Sequence, residues 1–571
     1  MLTLIAAIGL TSASAEPIVD LSGSDLTGGA ASIYGSHQHG IDDTNWVYAQ
    51  PTGEQSSLSG EFTLARLPRA PMFLFLTAVD DDYASKCAIR ISLNDATLFE
   101  GESTFSDAPG WQSLRFEIPS GTLKVGGNEL LIENTHAEGK GGMPPWFMVA
   151  RATIADRSYR APRLQATMPL SVRLPKKLRP FPEPLAEGSE PGFKLRGTKG
   201  WMWTPEQYLA EIPVLAEYQM NFLMNCYGSL FDFRPHWVNE WWTPMSDELK
   251  AGLIQVIESC REHGITYCFA AHPQLASPRP MDPRSMTDRE AFWQRFEWAQ
   301  QQGVKWFNIS IDDVSWGDRG AAAGGSEHAD LINWFLERLR ANDPEAQLTM
   351  VPVPYWGDGT SPDHRAYLES LAREMHPDVY VFWTGDAVVT PKITRAAAES
   401  YREIVDHRLI LWDNYPVNDN APTLHLGPVT GRDADLCEVI DGYMSNPLCK
   451  QNQANRIPLL TCADYAYNPS AYDPARSIGQ AIAHLASGKK QRRALADLVE
   501  AYPGMLIYGG GTGMNPVRTE FGRLSTDPKE AAQFAQRIQS LATRFATAFP
   551  DDHAPARAIL EADAAWLAEQ P

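Results

Sequence analysis

Hydrophobic and polar positions alternate differently in the two parts of this chain. Between residues 17 and 158 short runs change polarity with period two: Met72–Thr77, Ala88–Leu93, Leu114–Ile118, Glu129–Glu133 and Trp146–Ile154. Gly, Pro, Asn and Asp clusters separate them, which predicts an antiparallel β-sandwich. From residue 193 strand-like runs alternate with helical periodicity. The runs are Phe193–Thr198, Met220–Tyr227, Ile265–Ala271, Lys305–Ile311, Gln347–Val353, Val379–Trp383, Leu409–Asp413 and Ile457–Cys462. The helical patterns are Pro205–Tyr218, Ser246–His263, Asp288–Gln302, Ser326–Asn342, Pro362–Met375, Lys392–Asp406 and Ala434–Asp441, with Pro474–Ser487 after the last strand. Thr204-Pro205 and Ser361-Pro362 place a proline at the first helical position, a helix-start signal.

Eight strands each followed by a helix predict an α/β fold, a closed (β/α)8 TIM barrel, with an N-terminal β-sandwich and a C-terminal α-helical tail. A doubly wound open sheet would carry a Gly-rich dinucleotide turn after a strand, and no GxGxxG stands there; Gly509-Gly-Gly-Thr-Gly513 is read as a loop beyond the barrel. The expected divisions are a signal peptide over 1–16, the sandwich over 17–158 and a Pro-rich linker over 159–192. The barrel follows over 193–489, and a helical region over 490–571 contains the patterns Asp527–Ala548 and Pro555–Glu569. For 571 residues the length alone suggests three or four domains. The signal peptide rests on apolar residues 2–10 and on Ala13-Ser14-Ala15 before Glu16, although the start carries no Lys or Arg. It implies a secreted or periplasmic protein. No later run of about 20 apolar residues could span a bilayer.

Charge and cysteine content narrow the function. A net charge of −21 argues against nucleic acid as a partner, because phosphate would be repelled over most of the surface. The 17 tryptophans suit both sugar stacking and large cores. Seven cysteines without CxxC spacing indicate neither a zinc site nor a disulfide framework, so no metal or other cofactor is expected. Asp80–Asp82 could hold calcium and His37-Gln-His39 a metal, but such loop residues are more often solvated.

The chemistry centres on Lys305–Trp316. Its strand runs directly into Asp312 and Asp313, and in a TIM barrel the C-terminal strand tips carry the reacting groups. The other tips supply Gly197, Asn225 to Gly228, Tyr355, Thr384-Gly385-Asp386, Trp412–Asp419 and Asp464-Tyr465. These are acids, amides and aromatics without a His/Cys cluster or a Ser-His pair, which favours carboxylate chemistry on a polyol. Two carboxylates that straddle a glycosidic bond normally stand roughly 5 to 10 Å apart on different strands. Adjacent acids cannot do that, but they can serve a sugar that brings its own nucleophile. A 2-acetamido carbonyl oxygen would attack the anomeric carbon to form an oxazoline. Asp312 would accept from the acetamido N–H, and Asp313 would protonate the leaving oxygen and later take a proton from water. The charge on Asp312 would raise the pKa of Asp313.

The residues then resemble a known family, the retaining β-N-acetylglucosaminidases of glycoside hydrolase family 84, which include the O-GlcNAc-removing enzymes. The resemblance covers residue 193 to about 470. It is carried by Ile311-Asp-Asp-Val314, Trp383-Thr-Gly385, Trp412-Asp-Asn-Tyr-Pro-Val-Asn-Asp419, Leu426-Gly-Pro-Val-Thr-Gly-Arg432 and Ser445-Asn-Pro447. It implies the substrate-assisted mechanism, with Asp312 orienting the acetamido group and Asp313 as general acid/base. Tyr355 would hydrogen-bond the acetamido carbonyl, and Trp412 would wall the pocket. Asn414, Asp419 and Asn446 would bind sugar hydroxyls or the acetamido group, and the Gly197 carbonyl a hydroxyl. The substrate is then a β-linked 2-acetamido sugar of a glycan or glycoprotein. Ala88–Asn94 and Gly126–Asn134 loosely resemble galactose-binding-like jelly rolls.

The match departs in one place. The family lysine at the second strand tip is replaced by Gly228, in Asn225-Cys-Tyr-Gly-Ser-Leu-Phe231, and Arg196 and Lys199 replace the usual acid and aromatic of the first motif. Either Lys199 supplies the missing cation from the neighbouring tip, or the sugar is not plain terminal GlcNAc. The alternatives are a glycosidase of another sugar preference and a non-hydrolytic carbohydrate-binding protein.

Overall fold

The computed structural model describes residues 16–31, 44–81, 86–106, 111–139, 145–161, 170–231, 238–449, 453–508, 511–524 and 528–570. Residues 1–15 of the expected signal peptide, His37 with His39, and Asp82 lie outside the described residues. The chain divides into two compact units, Met1–Met168 and Pro169–Pro571.

The first unit is built from two antiparallel sheets. One orders Ala30–Ala31, Asn45–Tyr48, Trp146–Asp156, Met72–Asp80 and Gln112–Glu117, with Val19–Ser22 also paired to Trp146–Asp156. The other orders Thr27–Gly28, Ser57–Leu64, Gly126–Asn134, Ala88–Leu93 and Ala96–Glu102. Alternate residues such as Leu74, Leu76, Ile89, Ile91, Leu130 and Ile132 meet in one buried cluster, as the period-two pattern requires. Asp80 and Asp81 are buried beside Cys87, with their potential ligand atoms within 4.8 Å of one another. A carboxylate oxygen of Asp81 accepts from the Trp146 N–H at 2.8 Å. Burial pushes the Asp80 carboxyl up to about 6.

In the second unit eight parallel strands close into a barrel in sequence order. They are β1 (Leu195–Thr198), β2 (Phe222–Met224), β3 (Thr266–Ala271), β4 (Trp306–Ser310), β5 (Gln347–Val351), β6 (Tyr380–Trp383), β7 (Arg408–Pro416) and β8 (Gly442–Asn446). Helices Pro205–Glu217, Asp247–Glu262, Met286–Gln301, Ala321–Asn342, Pro362–Glu374 and Arg395–Val405 follow the first six strands. Thr204, Ser246, Ser285 and Thr394 cap four of them through side-chain oxygens, which satisfies helix-end N–H groups that have no partner within the helix. Phe222, Met224, Cys268, Ala270, Phe382, Ile410 and Met444 form one buried cluster. The alternating Leu223, Phe269, Phe307, Ile309, Val381 and Leu411 join the helices in another. Strand alternation thus separates barrel lumen from helix contact.

The eighth strand corrects the sequence reading. Gly442–Asn446 pairs with both β7 and β1, whereas the predicted strand Ile457–Cys462 lies inside the helix Arg456–Tyr467. Ten residues of that helix, Ile457 to Ala466, are buried. An apolar run buried on every side carries no periodicity to separate helix from strand. Pro458 sits in the first turn, where its missing N–H removes no hydrogen bond. Asp464 is therefore no strand tip, and its carboxylate accepts from the Glu183 N–H at 2.6 Å. The expected helix Ala434–Asp441 contains only the single turn Leu436–Glu438.

Helices Lys489–Ala501, Met505–Tyr508, Pro516–Leu524, Pro528–Ala548 and Ala554–Ala568 complete the unit. Leu495, Val499 and Tyr502 share a buried cluster with Leu424, Leu426, Leu448 and Ile457. The helical region therefore packs on the loops that follow β7 and β8. Among the described residues no helix is long and apolar enough to cross a membrane.

Candidate active site

At the C-terminal mouth of the barrel lies a cleft of about 480 Å³ lined by Lys199, Trp201, Tyr227, Asp312, Asp313, Val351, Tyr355, Val388, Val389, Trp412, Asn414, Val417, Asp419, Asn446 and Thr512. All the expected site residues except Gly197 border it. Gly197 lies within β1, where an added Cβ would fall 1.6 Å from the Phe222 carbonyl oxygen, so strand packing by itself demands glycine there.

The end of β4 brings the two acids together. Trp306, Asn308 and Ser310 alternate with Phe307, Ile309 and Ile311, which face the helices, so the same alternation carries Asp312 toward the lumen. Asp313 would then point outward, but it takes a left-handed conformation with φ 57°, uncommon for a residue with a Cβ. That turn brings both acids to one cleft.

Their surroundings are unequal. Asp312 is buried. Its Oδ2 accepts from the Tyr227 hydroxyl at 3.1 Å, while its Oδ1 has no hydrogen-bond partner among the described residues. His272 fixes the backbone below. Its Nδ1 accepts from the N–H groups of Gln274 and Leu275 at 3.1 and 3.0 Å, so Nε2 carries the hydrogen and donates to the Asp312 carbonyl at 2.9 Å. Burial lowers the His272 pKa to about 4, which keeps the ring neutral. Asp313 faces the mouth of the cleft, and its Oδ1 accepts from the Tyr355 hydroxyl at 2.8 Å.

Burial raises the pKa of Asp312, opposed by the Lys199 charge and the Tyr227 hydrogen bond. Burial also raises that of Asp313, with the negative charge of Asp312 adding to it and the Tyr355 hydrogen bond opposing. The neighbour's charge thus works as expected from the adjacent acids, but burial is the larger cause.

The extended end of β7 supplies the opposite wall. Its pairing with β8 shifts register between Asp413 and Pro416. The Asn414 side-chain Oδ1 accepts from the Trp412 indole N–H at 2.9 Å and from Asn446 Nδ2 at 2.8 Å. Asn414 Nδ2 donates to the Val388 carbonyl at 2.7 Å. Asn446 Oδ1 has no hydrogen-bond partner among the described residues. Beneath this wall Arg432 grips Asp413 through two hydrogen bonds of 2.8 and 2.6 Å, and the Tyr443 hydroxyl adds a third at 2.8 Å. The Leu426–Arg432 segment therefore acts on the site through β7, not by contact with a ligand.

Trp201 and Thr512 line the cleft without a sequence signal, and Tyr227 stands in the second strand tip without an assigned role. Tyr227 follows β2 in a single-turn helix, and its hydroxyl reaches Asp312 from a different strand. Thr512, in the Gly-rich segment read as a loop beyond the barrel, donates to Asp419 Oδ2 at 2.7 Å. Only the fold brings residue 512 beside 419.

Four lining residues hold buried polar atoms without hydrogen-bond partners among the described residues: Lys199 Nζ, Trp201 Nε1, Asp312 Oδ1 and Asn446 Oδ1. Leaving such an atom unmet costs roughly 1–3 kcal/mol, so their convergence marks a place built for polar groups of a ligand.

Comparison with known proteins bears on the family and the fold. A β-N-acetylglucosaminidase family model matches residues 197–500. The O-GlcNAcases of Mus musculus and Rattus norvegicus are each 26% identical over 282 residues, covering 48% of this chain and 29% of theirs. This chain thus matches less than a third of the length of those relatives. The structure of CpGH84B is 20% identical with a TM-score of 0.52, covering 74% of this chain and 68% of that one. A mutant of the Thermobaculum terrenum O-GlcNAc hydrolase is 22% identical with a TM-score of 0.53, covering 66% and 83%. At those identities the two structures speak for the fold alone.

Proposed function

The chain belongs to the β-N-acetylglucosaminidase family of glycoside hydrolases, and on that premise we propose that it cleaves terminal β-linked 2-acetamido sugars with retention of configuration. The observation that carries the mechanism is the partnerless Oδ1 of buried Asp312, one residue before an acid of raised pKa. Oδ1 accepts from the substrate's acetamido N–H and aligns its carbonyl oxygen with the anomeric carbon. The carbonyl oxygen forms the new bond to that carbon as the bond to the leaving oxygen breaks. Asp312 offsets the positive charge that develops on the acetamido nitrogen.

Asp313, whose pKa is raised by burial and by its neighbour's charge, gives its proton to the leaving oxygen. As a carboxylate it then takes a proton from the water that reopens the oxazoline at the anomeric carbon. Tyr355 spans both stages. In the free site its hydroxyl rests on Asp313, and with substrate present it donates to the acetamido carbonyl oxygen, so it changes acceptor during the cycle. Trp412 forms the wall on which the sugar face packs. Asn414, Asp419 and Asn446, which line the cleft, receive its polar groups. The aglycone belongs to a glycan or glycoprotein.

Hydrolysis of an aryl 2-acetamido-2-deoxy-β-glucoside, abolished in Asp312→Ala, tests this reading. Turnover only of sugars without the acetamido group would refute it.

A further inference from the structure

Lys199 follows β1 directly. Its backbone is tied down, with the N–H donating to the Ser445 carbonyl at 3.0 Å and the carbonyl accepting from the Tyr208 hydroxyl at 3.3 Å. The residue is wholly buried, yet Nζ has no hydrogen-bond partner among the described residues. Three rings enclose it: Nζ stands 3.6 Å from the ring centroid of Trp412, 4.2 Å from Trp201 and 4.7 Å from Tyr227. Ring faces stabilise a cation, but the three ammonium donors still lack oxygen acceptors. No described carboxylate lies within ion-pair distance of Nζ, and the residue borders the cleft.

The second strand tip offers no substitute. A Cβ on Gly228 would fall 2.4 Å from Met202 Sδ, so Met202 fills the space a side chain at that tip would need. The cation of this cleft comes from β1.

We propose that Lys199 is a specificity-determining residue, whose ammonium donates to one ring hydroxyl, or two adjacent ones, of a neutral 2-acetamido sugar. This rests on the glycosidase reading above. Neutral sugars are favoured because Asp312, Asp313 and Asp419 border the same cleft and would repel an acidic substituent. The three-ring cage holds the ammonium in place before the sugar arrives, so little side-chain freedom is lost on binding.

The test compares kcat/KM for the aryl 2-acetamido-2-deoxy-β-glucoside with that for its 3-, 4- and 6-deoxy analogues, in the native enzyme and in Lys199→Met. Native enzyme should lose about 10- to 100-fold on removal of the hydroxyl that meets the ammonium, the usual range for a hydrogen bond to a charged group. Lys199→Met should hydrolyse that analogue about as well as the parent sugar, while the ratios for the other analogues stay native. A uniform loss across all four sugars would reduce Lys199 to packing and overturn the proposal. So would a native enzyme indifferent to every deoxygenation, a result that needs no folded variant. A preference for a 6-carboxylate analogue would overturn the neutral-sugar assignment. If the native enzyme hydrolyses none of these compounds, the glycosidase reading itself fails, which is a distinguishable result.

Discussion

The hydroxyl of Tyr227 donates to Asp312 Oδ2 across 3.1 Å, so one carboxylate oxygen is held and the other is left partnerless at the cleft. This contact favours the ionised carboxylate. Tyr227→Phe keeps the ring beside Lys199 and deletes only the donor. The Asp312 pKa should rise, so the acid limb of kcat/KM against pH should move to higher pH. At the optimum we expect a loss of about 10-fold. An unmoved acid limb would show that the hydroxyl does not govern Asp312.

For Asp313→Ala the leaving group decides the outcome. An activated aryl leaving group needs little protonation, so its hydrolysis should suffer far less than that of an alkyl glycoside. Equal losses on the two substrates would argue against the acid role.

Tyr355→Phe should reduce kcat with little change in KM, because its contact with the reacting carbonyl strengthens as charge develops. The same deletion removes a hydrogen bond that lowers the Asp313 pKa. The basic limb of kcat/KM should therefore shift upward in pH. A rise in KM alone would place the hydroxyl outside the chemical step.

Arg432 and Asp413 are both buried, with side chains 2% and 1% exposed. Arg432→Met would leave a carboxylate without its countercharge, which costs about 3–5 kcal/mol when a buried pair is broken. Urea unfolding should show an unfolding free energy lower by that amount, read as a lower midpoint. Activity should fall as well, since the β7 tip that carries Trp412 and Asn414 loses its anchor.

Much of the barrel was legible because lumen and helix contacts obey strict alternation, and because helix starts carry Thr, Ser and Pro signals. Seven strands were recognised, and the eighth was misplaced for a definite reason. Gly442–Asn446 is short and opens on glycine, whereas Ile457–Cys462 is apolar but for Thr461, yet it lies in a helix buried from Ile457 to Ala466. The acid pair was legible because a strand ended in it. The turn that unites the two side chains is a left-handed residue, which Asp313 does not announce. Trp201 and Thr512 were illegible as site residues, since each reaches the cleft through a tertiary approach with no local pattern, whereas Tyr227 was legible as part of a strand tip but its bond to Asp312 was not.

Thr512 has a consequence for anyone wishing to shorten this enzyme. Its hydroxyl meets Asp419 from a segment beyond the last barrel helix, and Leu495, Val499 and Tyr502 seal the loops behind it. Truncation at residue 489 would strip the cleft of a wall and expose the apolar underside of its floor. Any functional piece must therefore keep the terminal helices with the barrel, and libraries aimed at altering sugar choice should treat positions near 512 as pocket positions.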